Sequence, residues 1–490
     1  MREIFGHTWR PRAHVGVLSA IPFRACLALG PASGALGLAL LQLGCVSAQT
    51  GRSLDQAYQT AGTVLEQRSA PTRRTAPTQE ESKVREAALT KTLDPNVVVE
   101  QAVARSPALT ILAHRARALV HAGRAEGAPP PAELGFEIWN LPLAQPYALG
   151  DADMYMVELR QRFPAAGSLN ARARAMAEEA QAMLAELSTE ERLVAERATS
   201  AFAQYAQAWA EQRLLGEQLA LLENMAGAVR ARATTGGGLV DAARIELEVA
   251  KAQRAVARTS GDLARASATL NAVLRRPATA LLGPPRERPP ETVHLTVDEL
   301  MERAAVHRGA TLSAAARLRA AGARREAAEA EARIPEFMVG LGYWQDPGMR
   351  AGMGITSSMS LPWLWGPGRH RVLQAEEEEA VERASQDNVG WAAQAEVSEA
   401  HALLKASEAQ WLVIRGQALP AAQRSLEAFT ATYSTGNASL LEWLDIVRST
   451  LDLKLEAVVL EGDVARGVAS LERAVGTALP RSPLAQEVSP

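Results

Sequence analysis

The sequence predicts a mainly helical protein with a small β part, built as one unit written twice: helix, β-hairpin, very long helix, tight turn, helix. Three observations carry this reading. Glu100-Gln101-Ala102-Val103-Ala104 is echoed about 200 residues later by Glu302-Arg303-Ala304-Ala305-Val306. No proline stands between Pro164 and Pro277, over a stretch rich in Ala, Glu, Arg and Leu. Two segments, Leu134 to Phe163 and Phe337 to Leu361, alternate apolar with polar or small residues at the period of a strand. A unit of this shape has no compact core of its own, so neighbouring units must cover its apolar faces.

The chain has 490 residues, 47% hydrophobic, 22% charged and only 4% aromatic, the balance of long helices rather than of globular domains. Arg10, Arg12 and Arg24 precede the apolar run Ala25 to Gly44, which reads as an export signal over 1–48. Val46-Ser47-Ala48 fits cleavage after Ala48. Gly44-Cys45 equally fits a lipobox that would leave Cys45 as an acylated N-terminus, although Gln42 stands where such motifs carry Leu. An uncleaved anchor is the third alternative. Residues 49–93 are polar without sustained periodicity and are expected to be irregular.

The first repeat spans 94–276. Asp94 as N-cap and Pro95 at the first helical position open a helix that should run to about Gly127, where Ala128-Pro129-Pro130-Pro131 stops it. The hairpin covers 133–163. In its second strand Tyr155, Val157, Leu159 and Phe163 share one face, and Glu158, Arg160 and Arg162 the other. That is the lipid-out, water-in pattern of a membrane barrel strand, although a soluble sheet packed on one side gives the same alternation. The long helix 165–234 makes a rod on the order of 100 Å. A glycine turn at 235–239 ends it, and a second helix runs to about Arg276.

A proline-rich linker, 277–294, leads to the second repeat, 295–477. Its helix Val297 to Arg333 precedes a hairpin over 335–361 and a rod over 369–433 that contains Pro420; a tip at 434–439 and a helix from Leu440 to Val475 follow. A disordered tail is expected over 478–490. Each shorter helix is about half a rod, so stacking 239–276 on 297–333, and the first helix on the last, would give four rod-length columns.

Composition also excludes. A net charge of -3 argues against nucleic acid as a partner. Cys26 and Cys45 are the only cysteines and both lie in the leader, so the body has no disulfide framework and no thiolate metal site. No HExxH, GxSxG or phosphate-binding glycine loop is present, so no enzymatic activity, cofactor or metal is expected. Glu376 to Glu379 point around a helix and read as solvated surface. His114 and His121 lack partners for a ligand set. Met154, Met156, Met338, Met349, Met353 and Met359 cluster at the hairpins and read as apolar filler. Trp139, Trp344, Trp363 and Trp365 sit near strand ends, as an interfacial belt would.

The strand-to-helix corners at Phe163-Pro164-Ala165-Ala166-Gly167 and Leu361-Pro362-Trp363-Leu364-Trp365-Gly366-Pro367-Gly368, with the turns Gly236 to Asp241 and Tyr433 to Glu442, resemble the TolC-like outer-membrane efflux protein family in order and spacing. The resemblance covers about Asp94 to Val475. It implies a homotrimer with a 12-stranded barrel in the outer membrane, continued by an α-helical tunnel across the periplasm. It implies as partners a periplasmic adaptor and an inner-membrane pump of the RND or ABC type. It places Gly236, Gly237, Leu239, Gly436 and Leu440 against the adaptor, Asp241 and Glu442 at the tunnel mouth, and Pro164 and Pro362 at the corners. The heavy-metal branch is suggested by Glu137 to Asn140; a multidrug or type I secretion duct is the alternative. A periplasmic coiled-coil adaptor or structural protein is the alternative of another class.

Overall fold

The computed structural model describes residues 46–73, 89–140, 144, 147, 152–233, 238–346, 351–434 and 438–484. Helix α1 is Ala48–Arg73, α2 Pro95–Ala104 and α3 Pro107–Glu126. The hairpin β1 Glu133–Trp139 and β2 Met154–Phe163 leads to α4 Ser168–Ala233 and α5 Leu239–Val273. After the short β3 Glu291–Thr292, the order repeats as α6 Val297–His307, α7 Gly309–Arg333, β4 Phe337–Gln345, β5 Gly352–Met359 and α8 Gly368–Val413. A π-helical turn Ile414–Ala418, α9 Leu419–Ser434, α10 Leu440–Val475 and β6 Ser482–Pro483 complete the chain.

Long helices pack here through alanine. Ala173, Ala175, Ala177, Ala180 and Ala182 on α4 are buried, as are Ala316, Ala320, Ala321 and Ala323 on α7. Small side chains bring the axes close, which is why so few aromatics are needed. A ladder of ion pairs then fixes the antiparallel register: Arg172 with Glu331, Arg174 with Glu326, Glu178 with Arg319, Glu179 with Arg324, and Glu186 with Arg317. Each such pair contributes only about 0.2–1 kcal/mol, but a one-turn slip would unmake them together.

Several expectations are corrected. The segment 49–93 is not irregular, because α1 occupies its first half. Leu54, Ala57, Ala61 and Leu65 recur at helical spacing and are buried against α3 and α4, while a polar outer face hides that stripe in the composition. The first helix breaks between Arg105 and Pro107, since a residue preceding proline is pushed out of the helical region. The helix 297–333 breaks likewise at Arg308, whose backbone is extended. The second rod contains a π turn just before Pro420, which widens the coil where the proline ring would meet the carbonyl four residues back. The described part of the tail, 478–484, is held in place: Arg481 grips Glu472 at 2.7 Å, and β6 pairs with β3.

The stacking of half-rods is also different. Arg105 donates to the Leu274 carbonyl at the end of α5, and Arg308 donates to the Ala474 carbonyl at the end of α10. Thus α5 continues the column of α3, and α10 that of α7. The α10–α7 joint is tight. Gly476 has φ +87, and a Cβ there would lie 2.5 Å from Arg308 Cα. Gly476→Ala combines a left-handed strain with a backbone clash and should destabilise by about 2 kcal/mol, read as a lowered thermal midpoint.

Among the described residues no helix is long and apolar enough to cross a membrane.

Candidate functional site

The four strands form one antiparallel sheet in the order β1-β2-β4-β5, so the two hairpins join through β2 and β4. Register aligns side chains in rows. Leu134, Leu159, Leu341 and Ile355 make one row, and Phe136, Val157, Tyr343 and Met353 the next. All eight are exposed. In a soluble one-sided sheet the apolar face is the buried one. Here the apolar face meets the surroundings, and the outer edges of β1 and β5 have no strand partner among the described residues.

The opposite face is polar and crowded. Glu158, only 3% exposed, accepts from Arg160 at 2.5 Å and from the Thr356 hydroxyl at 2.5 Å, and Arg160 also reaches Glu137 at 3.2 Å. The glycines opposite make room: a Cβ at Gly340 would collide with the Glu158 carboxylate and the Thr356 hydroxyl. Trp344 lies on this face, over Gly352 and Gly354, where added Cβ atoms would strike its ring. Trp139 shares the face and donates to Glu137 at 3.2 Å. An interfacial belt therefore does not include these two tryptophans. Trp363 and Trp365, in the β5–α8 corner, are exposed.

At the far end of the rods, Gly236, Gly237 and Gly436 lie outside the described residues. Gly238, at φ +92, is the N-cap of α5. Leu239 is 80% exposed, and Val240 and Leu441 are exposed beside the same turns. Leu440 is corrected: it is 1% exposed, turned into a cluster with Ile245, Trp443 and Leu444, and is not available to a partner. Asp241 is half-buried in the first turn of α5, where the helix dipole favours a carboxylate. Glu442 folds back to its own cap. The Ser439 amide and hydroxyl hold its carboxyl below the usual range, so it stays ionised until the pH falls through that lowered value.

Sequence reasoning missed what joins the two tip hairpins. Trp443 is fully buried and donates to the Thr430 hydroxyl at 3.0 Å. Glu248 on α5 meets Arg448 on α10 at 2.6 Å and Lys251 at 2.8 Å. Burial would raise the Glu248 pKa, but the two cations outweigh it and hold it below the usual range. The 3.6-residue recurrence of Ile245 and Glu248 was the available signal, and it named no partner.

Elsewhere the residues singled out from sequence have structural roles. His121 packs edge-on to Tyr58 at 5.5 Å, and Glu379 pairs with Arg325 at 2.7 Å. Pro164 and Pro362 stand between strand and helix at the two corners. A cavity of about 1360 Å³ lies at mid-rod among α2, α4 and α10; burial beside it pushes the Glu461 carboxyl up. Among the described residues no cluster of His, Cys, Asp or Glu is arranged to hold a metal.

A family model described as outer membrane efflux protein matches residues 300–477. No curated protein matches the chain in sequence. Several solved structures share its fold. A membrane protein from Pseudomonas aeruginosa is 19% identical, with a TM-score of 0.66 over 80% of this chain and 92% of that one. The outer membrane protein VceC from Vibrio cholerae is 19% identical, with a TM-score of 0.64 over 78% and 96%. The open state of the Neisseria gonorrhoeae MtrE outer membrane channel is 18% identical, with a TM-score of 0.63 over 78% and 88%.

Proposed function

We propose that this chain is the outer-membrane duct of a tripartite efflux system, a passive exit path powered by its partners. The observation that carries the reading is the sheet: apolar side chains face outward in register, charged ones face inward, and both edges are open. Lone edges cannot sit in lipid, and four strands cannot close a barrel, so several copies must close it together. Three copies give 12 strands, and their rods give a tunnel from periplasm to exterior. At its mouth Leu239, with Gly236, Gly237 and Gly436, meets the adaptor. Leu441 takes the place first given to Leu440. Asp241 and Glu442 supply negative charge there, which favours cations.

Detergent-resistant trimers in outer-membrane fractions, conducting in planar bilayers, are the expected result; a soluble periplasmic monomer would overturn the reading and favour a coiled-coil adaptor. Deletion with a panel of metals and drugs separates heavy-metal export from multidrug export, and an unchanged tolerance profile would count against both.

The start of the mature chain is a further part of this reading. Thr50 donates to the Ser47 hydroxyl, and the Ser47 amide donates to Asn170 at 2.9 Å. A Cβ on Gly127 would run into Val46. Cleavage after Ala48 would remove these contacts, whereas processing before Cys45 keeps them. Mass spectrometry of the purified protein should find an acylated Cys45 as its first residue; a chain beginning at Gln49 would contradict this.

A further inference from the structure

The two strand-to-helix corners occupy equal places at the base of the sheet but are finished differently. At the first, Pro164 to Gly167, the small side chain of Ala165 is buried, and Ser47 and Thr50 of the N-terminal segment bond to Asn170 just beyond it. The second carries Leu361, Trp363, Leu364 and Trp365, with the tryptophans 57% and 84% exposed. Gly366, at φ +120, turns this loop into α8. Burying such a cluster in water's place is strongly favoured, so leaving it bare in an aqueous setting is costly.

Two cations follow directly on this loop. Arg369 and Arg371 stand exposed in the first turn of α8, and neither guanidinium has a hydrogen bond or ion pair among the described residues. The N-terminus of a helix is the place its dipole disfavours cations. The acidic run Glu376 to Glu379 follows only about 10 Å further along the helix, away from the sheet. Charge thus changes from cationic beside the sheet to anionic beyond it, the reverse of what α8 alone would favour.

We propose that the β5–α8 corner is a binding site for anionic phospholipid headgroups at the inner face of the membrane. Trp363 and Trp365 enter the interfacial layer, continuing the outward apolar face of the sheet, and Arg369 and Arg371 meet lipid phosphates. The proposal rests on the membrane-barrel reading above and goes beyond it by naming lipid charge as what this corner selects.

The test uses the full-length protein in nanodiscs of phosphatidylcholine with a minor fraction of phosphatidylglycerol, with retained lipids counted by native mass spectrometry. Phosphatidylglycerol should be retained above its share in the disc, and its excess should fall on the order of five-fold for each arginine replaced in R369Q and R371Q. R369K/R371K should keep the excess, and high salt should remove it. Brominated lipids should quench the wild type more than W363A/W365A. No excess in the wild type, or the same excess in R369Q/R371Q, overturns the proposal; so does unchanged quenching in W363A/W365A, which would mean that protein covers the corner. A protein that enters no bilayer, with no tryptophan quenched, fails the barrel reading itself.

Discussion

Leu341→Arg should abolish recovery of the protein from outer membranes. Leu341 sits in the middle of β4, in the outward row with Leu134, Leu159 and Ile355, and is already exposed in the single chain. A soluble sheet would tolerate arginine at such a site within about 0.5 kcal/mol. In a bilayer the same change costs about 2–4 kcal/mol near the midplane. Three copies around one barrel would pay it three times, roughly 6–12 kcal/mol per assembly, which is comparable to the whole stability of many domains. Ser358→Arg is the matched control. Ser358 pairs with Met338 on the inward face, so arginine there should leave insertion intact and alter ion selectivity. Fractionation of cell envelopes reads both. Equal membrane recovery of Leu341→Arg and the wild type would remove the main support for a barrel.

What the sequence disclosed follows from the kind of signal each feature leaves. Strand faces were legible because period two is strict: one residue's identity fixes the face of the next. Rod lengths were legible because proline and glycine mark helix ends without help from tertiary contacts. Helix α1 was not, since Leu54, Ala57, Ala61 and Leu65 make a thin stripe within a polar segment, and only α3 and α4 give it something to cover. The stacking of half-rods depends on Arg105 and Arg308 reaching the ends of α5 and α10, contacts that no local pattern encodes. Their matching positions in the two halves were a usable hint. At the candidate site, Leu239 and Leu440 follow their glycine turns in similar ways, yet one is exposed and the other buried. Which leucine turns inward is decided by Trp443, which fills the space between the two hairpins.

That tryptophan is the basis of the second large prediction. Trp443→Ala should cost about 3–5 kcal/mol, the range for emptying a fully buried aromatic site. Trp443 packs with Ile245 and Leu444, lies 6.5 Å from the Tyr433 ring, and its indole N–H is satisfied by Thr430. The loss should be local. The sheet and the mid-rod clusters around Leu270 and Leu471 share no residue with the tip cluster, so the tip can open as a separate unit. Hydrogen exchange should therefore quicken over 219–252 and 426–447 and stay unchanged in the strands. Trp443→Phe should keep much of the packing and lose the N–H bond to Thr430, giving a smaller change in the same segments. Arg448→Ala should loosen the tip less again, because Glu248 keeps Lys251 at 2.8 Å and remains partly compensated. If these hairpins close the mouth of a duct, conductance at rest should rise in the order Arg448→Ala, Trp443→Phe, Trp443→Ala, following the loss of protection. Faster exchange with unchanged conductance would mean that the tip is held by this cluster but does not gate the tunnel.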